Sequence, residues 1–379
     1  MSEQIEIRGF IAPGFEPVAD AFRANFAAGN EIGAGFALMQ DGEVRIDIHA
    51  GAADRGGARA WSGETLAPIF STGKAVTALV MAWLVDQGRI AYDTPIAAVW
   101  PDFGVHGKDA ITLEMALSHQ TGFTGVAEEM DAGDWLDREV MEPRIAAQSP
   151  LWTPGDGSAY QPISFGVIAD AVARRVDSDQ RTIAAILHEE MTGPFGIDFH
   201  IGLPEAEHDR AATHKLPPRP AYLGEINTAT EIAFLKPWSS PGRRGASAWR
   251  SAELPAANAH ATAGAIAALM QLFACGGRLG EERLLTPGVV QDAMRERVSG
   301  QDRVLPFDLA YGAGVMINRK SGLLGPEPST VGHYGFGGSC GFADPVRGVS
   351  GAYVMNRQMD VLVGDDRAMR LINAAYACL

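Results

Sequence analysis

The sequence predicts an α+β protein whose two chain ends together build a sheet-containing domain, with a mainly helical domain inserted between them. Strand patterns lie near both ends, at 35–51 and 348–356, and helical patterns fill most of the interval. Alternating apolar residues indicate strands, whereas apolar residues three and four apart indicate helices. We therefore expect residues 1–90 and 295–379 to form one domain and residues 91–294 to form the other.

The first chain end holds an amphipathic helix and a hairpin. Val18, Phe22 and Phe26 lie four residues apart, which is the spacing of a helix with one apolar face. The hairpin turns at Asp41-Gly42, a dipeptide that favours the tight turn between two antiparallel strands.

The middle of the chain is predicted to be helical apart from one long irregular stretch. Seven prolines interrupt residues 202–258, and so long a stretch without regular structure usually carries function or is disordered. A closing helix is expected at 365–378, after the second strand region. The other helices are predicted at about 111–118, 164–176, 183–192 and 262–275.

Composition and charge limit the classes of function. The 379 residues are 46% apolar and 20% charged, which supplies a substantial core. A net charge of -15 repels phosphate, so we expect neither nucleic acid nor an anionic membrane as a partner. The three cysteines lack CxxC spacing and the histidines lack paired metal spacing, so we predict no metal and no cofactor. The N-terminus lacks the pattern of a secretory signal, and we expect a cytoplasmic protein.

The most informative segment is PIFSTGKAVTALVMAWLVDQG, in which Ser71 precedes Lys74 by one helical turn. The run Ala75–Val85 is apolar on every face except at Thr77, so the segment is typical of a buried helix that ends before Gly88. Side chains at i and i+3 project from the same face. Burial disfavours the ammonium form, so the Lys74 amine can take the proton of the Ser71 hydroxyl and make it nucleophilic.

The same tetrapeptide also has a purely structural interpretation. Serine is a common N-cap, and a lysine in a first helical turn is usually solvated. The apolar surroundings favour the functional interpretation, because a lysine within an otherwise buried helix requires a reason.

Four segments in order resemble the serine β-lactamase-like hydrolases, and most closely their family VIII carboxylesterases, which share the class C β-lactamase fold. The segments are PIFSTGKAVTA, TLEMALSHQTGF, LWTPGDGSAYQPISFGVIADAVARRV and GHYGFGGSCGFADPVRGVSGAYVMNR. The resemblance runs from Gly35 to Asn356. It implies an antiparallel sheet flanked by helices, as in penicillin-binding transpeptidases, and a serine hydrolase that acts on small esters.

By this resemblance the S-x-x-K motif falls on Ser71 and Lys74, and the family's tyrosine falls on Tyr160. A phenol held beside an ammonium can become a phenolate, accept the serine proton and later activate the deacylating water. Without the family, a tyrosine packed at a turn is an equally good interpretation. The sequence departs from the motif at Pro162, where the family has Asn or Ser, so a hydrogen bond to a substrate amide is missing.

The family's third motif falls on His333-Tyr334-Gly335, in a form similar to that of the esterases. The resemblance implies an oxyanion hole made of the backbone N–H groups of Ser71 and Phe336. Gly335 is expected to let a substrate approach the strand edge closely. Penicillin-active relatives have lysine in place of His333, and imidazole is mostly neutral at pH 7. We therefore expect neutral esters as substrates, and we expect His333→Lys to improve the recognition of anionic substrates. The alternative is that His333 has only a structural role and bonds a backbone carbonyl.

A second serine lies in a different hydrolase motif. Residues 337–341 satisfy G-x-S-x-G, the nucleophile elbow of α/β-hydrolases, with Ser339 at the centre. That motif requires a following helix and a later histidine, whereas a strand pattern follows here and no histidine occurs after His333. We therefore reject Ser339 as the nucleophile.

Other side chains have two interpretations each. Phe123, Trp152 and Trp238 are candidates for an acyl pocket, although core packing is the usual role of aromatic residues. Arg243-Arg244 is expected to be a solvated pair, with carboxylate binding as the alternative.

The predicted function is that of a serine carboxylesterase that hydrolyses short-chain esters through a Ser71 acyl-enzyme, with at most weak hydrolysis of β-lactams. The alternatives are an amide-directed relative (β-lactamase, D-amino-acid peptidase or oligoamide hydrolase), an acyltransferase, and a non-catalytic ligand-binding scaffold. The joint presence of Ser71, Lys74 and Tyr160 argues against the scaffold.

Overall fold

The two chain ends build one sheet, and the middle of the chain adds helices to it. The computed structural model describes residues 5–319 and 321–379. The strands are β1 (Arg8–Ile11), β2 (Gly33–Gln40), β3 (Glu43–Gly51), β4 (Ala67–Pro68), β5 (Phe199–His200), β6 (His260–Ala261), β7 (Arg278–Leu279), β8 (Glu282–Arg283), β9 (Val298–Gln301), β10 (Asp308–Tyr311), β11 (Met316–Ile317), β12 (Val331–Tyr334), β13 (Cys340–Asp344) and β14 (Val349–Met355). The α-helices are α1 (Glu16–Ala27), α2 (Gly73–Asp86), α3 (Leu113–Leu117), α4 (Arg138–Ala146), α5 (Ser164–Val176), α6 (Ile183–Ile186), α7 (Thr228–Thr230), α8 (Ser247–Ser251), α9 (Ala263–Ala274), α10 (Pro287–Met294) and α11 (Asp366–Tyr376).

Nine strands of the described residues form one antiparallel sheet in the order β1-β3-β2-β14-β13-β12-β11-β10-β9. The two chain ends meet in this sheet, because β14 pairs along its whole length with β2, from Val349 opposite Gln40 to Met355 opposite Ala34. The predicted α+β class, with an antiparallel sheet flanked by helices, is confirmed.

Different helices cover the two faces of the sheet. Helix α9 packs against β2, β13 and β14, and α2 contacts both α9 and β12. Helices α1 and α11 pack against each other on the opposite face. Successive strand residues point to opposite faces, so Phe36 joins the core under α1 and α11 whereas Ala37 joins the core under α2 and α9. Helix α2, with Lys74 in its first turn, is thereby held between the sheet and the helical part of the chain.

Most of the predicted elements are present. Helix α1 and the β2–β3 hairpin occur where the sequence indicates them, and α5 coincides with the predicted helix at 164–176. The predicted helix at 183–192 is divided into α6 and a π-helical segment, Leu187–Thr192. Helix α9, which lies at the predicted position 262–275, packs on the sheet. The two-domain division itself stays a prediction.

The proline-interrupted stretch 202–258 runs from the helical part of the chain back to the sheet. It pairs through single bridges with Leu66 and Arg357, and it contains the short helices α7 and α8. No helix of the described residues is long and apolar enough to cross a membrane.

Candidate active site

Ser71 lies in a short 3-10 turn, Phe70–Thr72, that leads directly into α2. Phe70, immediately before it, has a φ of 49°, a left-handed conformation that is strained for a residue with a side chain. The buried Ser339 hydroxyl braces this turn, since its Oγ donates to the Ile69 carbonyl at 2.8 Å and lies 3.0 Å from Thr72 Oγ1. Ser339 therefore stabilises the turn from its buried side. Ser71, in the same turn, is partly exposed.

Lys74 is fully buried, and its amine meets three oxygens. Its Nζ lies 3.1 Å from Ser71 Oγ, 2.8 Å from the Pro162 carbonyl and 3.0 Å from the Ala256 carbonyl. Burial holds the pKa of Lys74 well below its usual range. A neutral amine has two N–H groups and one lone pair. The two carbonyls accept from the N–H groups, which leaves the lone pair for the Ser71 hydroxyl.

Tyr160 lies on the other side of this amine. The Lys74 Nζ is 4.9 Å from the centre of the Tyr160 ring. Burial raises the pKa of the Tyr160 hydroxyl above its usual value, while the contact with Ser71 lowers this pKa in part and the Asp302 carboxylate raises it. These directions favour a neutral lysine beside a neutral phenol. The phenolate that the sequence suggested is therefore not the favoured resting form.

Asp302 fixes the segment that carries Tyr160. This buried carboxylate accepts hydrogen bonds from the Ser158 hydroxyl at 2.8 Å and from the Tyr160 backbone N–H at 3.1 Å. It also accepts from the backbone N–H groups of Val304 and Leu305, each at 2.9 Å. Four donors satisfy one carboxylate, as a buried charge requires. Asp302 thus ties the tyrosine segment to the turn before β10.

The end of β12 comes within contact distance of the turn that carries Ser71. At Gly335 a Cβ atom would lie 2.1 Å from the Ile69 carbonyl oxygen and 2.3 Å from Ser339 Oγ, so a side chain cannot be accommodated. The glycine is explained by this contact between the strand end and the turn rather than by the approach of a substrate. Among the described residues none accepts a hydrogen bond from the backbone N–H of Ser71 or Phe336. Both N–H groups are thus available to a bound oxyanion.

An apolar cavity opens beside Ser71 and Tyr160. Phe70, Met316 and Phe336 contribute to its wall from the sheet side. Much of the remaining wall comes from the stretch 202–258, which the sequence analysis described as irregular and as a stretch that carries function or is disordered. The residues of this stretch that line the cavity are Ala233, Phe234, Ser239, Ser240, Pro241, Arg244, Trp249 and Ala257.

Comparison with known proteins gives the family. A family model described as Beta-lactamase matches residues 18–375. The chain belongs to the beta-lactamase family. It is 32% identical to Esterase/beta-lactamase LipL of Mycobacterium tuberculosis over 375 residues, which cover 95% of this chain and 85% of that protein.

Two solved structures of the beta-lactamase fold match nearly the whole chain. A penicillin-binding protein homologue from Caulobacter crescentus is 48% identical with a TM-score of 0.96, covering 99% of this chain and 100% of that one. A family VIII carboxylesterase is 38% identical with a TM-score of 0.93, again covering 99% and 100%. The resemblance to serine β-lactamase-like hydrolases is thereby confirmed.

His333 does not lie where the sequence suggested. It is buried on β12, and within the described part of the chain it lies behind Tyr160 rather than in the cavity wall, with 5.9 Å between the two ring centres. Its Nδ1 lies 2.7 Å from the Tyr334 carbonyl, and burial together with nearby Lys74 lowers the pKa of His333 to about 3. A lysine here would bring a second buried amine close to Lys74 instead of meeting a substrate. The expected gain from His333→Lys on anionic substrates therefore does not follow.

The three aromatic candidates for the acyl pocket are also elsewhere. Phe123 is buried in the core, 6.4 Å from Phe103 between ring centres. Trp152 faces a different, more open cavity, and the Trp238 indole donates to the Val126 carbonyl at 3.0 Å. None of the three borders the cavity at Ser71, as far as the described residues define it. Phe234 takes this place instead, with its ring stacked 6.4 Å from that of Tyr160.

Proposed function

We propose that the protein is a serine carboxylesterase of the family VIII type, which hydrolyses short-chain esters through an acyl-enzyme on Ser71. The observation that carries the proposal is the Lys74 amine, 3.1 Å from Ser71 Oγ and held by two carbonyls. Burial lowers the pKa of this amine, which favours the unprotonated form that a general base requires. The names of similar proteins, among them an esterase/beta-lactamase and a family VIII carboxylesterase, support an ester as the substrate.

Acylation requires the proton of Ser71 to move to Lys74. The two carbonyls hold the Lys74 nitrogen in place whether it is an amine or an ammonium, and the third N–H of the ammonium is directed at Ser71 Oγ, so the transfer leaves no donor without a partner. Ser71 Oγ then bonds the ester carbonyl carbon, and the backbone N–H groups of Ser71 and Phe336 stabilise the oxyanion. As the intermediate collapses, the Tyr160 hydroxyl donates its proton to the leaving alkoxide and regains one from Lys74. Water deacylates Ser71 by the same path in reverse.

The cavity can hold an apolar acyl group. It leaves about 120 Å³ for the centres of water-sized groups between largely apolar side chains. A water molecule needs roughly 10–15 Å³ on this measure, so the space holds about eight to twelve such groups, which is enough for a short ester but not for a long acyl chain. The apolar wall removes a short acyl chain from water, at a gain of about 0.8 kcal/mol for each buried methylene.

A substrate panel tests the proposal directly. We expect hydrolysis of p-nitrophenyl acetate and butyrate, with a kcat/KM for butyrate about 10²-fold or more above that for nitrocefin. The reason is that Pro162 offers no side-chain amide to the acylamino group of a β-lactam, and each missing buried hydrogen bond costs about 1–3 kcal/mol. Graded esters from acetate to palmitate should show a decline beyond short chains. Equal kcat/KM values for nitrocefin and butyrate would contradict the ester proposal.

A β-lactamase is the second candidate, because the name of the relative that is 32% identical includes both activities. The nitrocefin arm of the panel decides between the two. The other amide-directed activities and acyl transfer to an alcohol would use the same Ser71 acyl-enzyme. An added alcohol that raises p-nitrophenol release while forming a new ester would identify acyl transfer.

Replacing Tyr160 by phenylalanine should lower kcat by about 10²–10⁴, the usual share of general acid–base catalysis. Alkyl esters should lose more than p-nitrophenyl esters, because an alkoxide needs a proton to leave and p-nitrophenolate does not. The measurement compares kcat for ethyl and p-nitrophenyl butyrate in both proteins, with the melting temperature as a folding control. Equal losses on both esters, together with a lowered melting temperature, would return Tyr160 to a packing role.

A further inference from the structure

The cavity at Ser71 contains one formal charge. Its lining is apolar or neutral throughout the described residues except for the guanidinium of Arg244. The side chain is exposed and borders the cavity, so it lies at the mouth. Its guanidinium carbon lies 5.0 Å from the ring centre of Phe336 and 5.6 Å from that of Phe70. Phe70 immediately precedes Ser71, and Phe70, Ser71 and Phe336 all line the same cavity, so the charge lies close to the proposed nucleophile.

Among the described residues this arginine has no acidic partner. None of the described carboxylates forms an ion pair with Arg244, although the chain has 46 acidic residues against 31 basic ones. Arg210, by contrast, is paired with Asp198 and Glu207. Contact with two aromatic rings orients the guanidinium while leaving its N–H groups free for an acceptor.

We propose that Arg244 binds a carboxylate carried by the substrate, so that the preferred ester is a short one bearing a second, ionised carboxyl group. This inference rests on the proposed esterase function and names the substrate class of the same site. Arginine presents a planar fork that bonds a carboxylate through two parallel hydrogen bonds. An apolar cavity with one fixed cation orients such a substrate by its charged end. The anion-binding group is therefore in the stretch 202–258 and not at His333.

The test compares charged and neutral members of two matched ester pairs. One pair, 4-acetoxybenzoate and 4-acetoxybenzamide, carries the group on the alcohol side. The other, p-nitrophenyl hydrogen adipate and its ω-amide, carries the group on the acyl side. For each pair, the kcat/KM of the charged ester is divided by the kcat/KM of the neutral ester. This ratio is measured in the wild type, in Arg244→Gln, in Arg244→Lys and in the neighbouring control Arg243→Gln. Arg243 is exposed and does not border the cavity among the residues described.

We expect Arg244→Gln to lower this ratio by about 10- to 100-fold in one of the two pairs, mostly through KM, since a charge-assisted pair is lost. Arg244→Lys should keep part of the preference, and Arg243→Gln should keep all of it. The pair that responds tells which side of the ester faces Arg244. If the ratio were unchanged in both pairs while the enzyme still hydrolysed p-nitrophenyl butyrate, the role of Arg244 would be overturned and the esterase function would stand. If the wild type hydrolysed no ester, both the esterase function and the role of Arg244 would be overturned.

Discussion

Ser71→Ala is expected to lower ester hydrolysis by roughly 10⁴-fold or more, because loss of a nucleophile removes the covalent path altogether. The Ser71 hydroxyl lies 3.1 Å from Lys74 Nζ, and burial lowers the pKa of this lysine, which favours the amine form that can accept a proton. A fluorophosphonate should accordingly add one equivalent to the wild type and none to Ser71→Ala. Intact-mass analysis measures the adduct, and peptide mapping should find it on the peptide that contains Ser71.

Ser339→Ala is the matched control, since Ser339 is the serine of the competing motif and lies next to the same turn. Its hydroxyl is buried and bonds the Ile69 carbonyl and Thr72 Oγ1. Removing it should cost about 2 kcal/mol of stability, about 1 kcal/mol for each of the two hydrogen bonds that are lost. We expect activity to stay within about tenfold of the wild type, a change of about 1.4 kcal/mol or less in the activation free energy, because Ser339 supports the turn and is not among the described residues that line the cavity. A phosphonate adduct on Ser339 would overturn the assignment of the nucleophile.

The sequence predicts the local half of this site well. Ser71 and Lys74 are three residues apart on a helix, so the geometry that joins them follows from helix periodicity alone. Strand alternation and a turn dipeptide likewise predict the β2–β3 hairpin. Tyr160 is 89 positions from Ser71, and only the family resemblance indicated that the two meet.

The rest of the site depends on contacts that no local pattern records. Asp302 reaches Tyr160 across 142 residues and belongs to no motif. All four residues of β12 are buried, so no alternation of polar and apolar residues indicates which way His333 points. The prolines of 202–258 indicate irregular chain, but only the folded arrangement brings Phe234 and Arg244 to the cavity. The sequence did single out Arg243-Arg244, without indicating that Arg244 borders the cavity and Arg243 does not.

Lys74→Arg should remove nearly all activity while keeping a positive charge at the position. An arginine does not deprotonate at any working pH, so it cannot take the proton of Ser71. Lys74→Gln keeps a polar side chain of smaller size and should be equally inactive, which separates loss of the base from crowding by the larger arginine. In the wild type, kcat/KM should fall as the pH drops through the lowered pKa of Lys74, because protonation removes the base.

Lys108 provides the control for burial itself. It is also fully buried, its amine donates to the Ala146 carbonyl at 2.7 Å, and it lies 5.2 Å from the ring centre of Phe103. No serine of the described residues is among its hydrogen-bond partners. Burial lowers the pKa of Lys108 to about 8. Lys108→Gln should therefore lower the melting temperature and leave kcat per folded molecule close to the wild-type value, whereas Lys74→Gln should abolish kcat whatever its melting temperature. If the two variants lost activity only in proportion to lost stability, Lys74 would be a structural lysine like Lys108, and the serine would need another base.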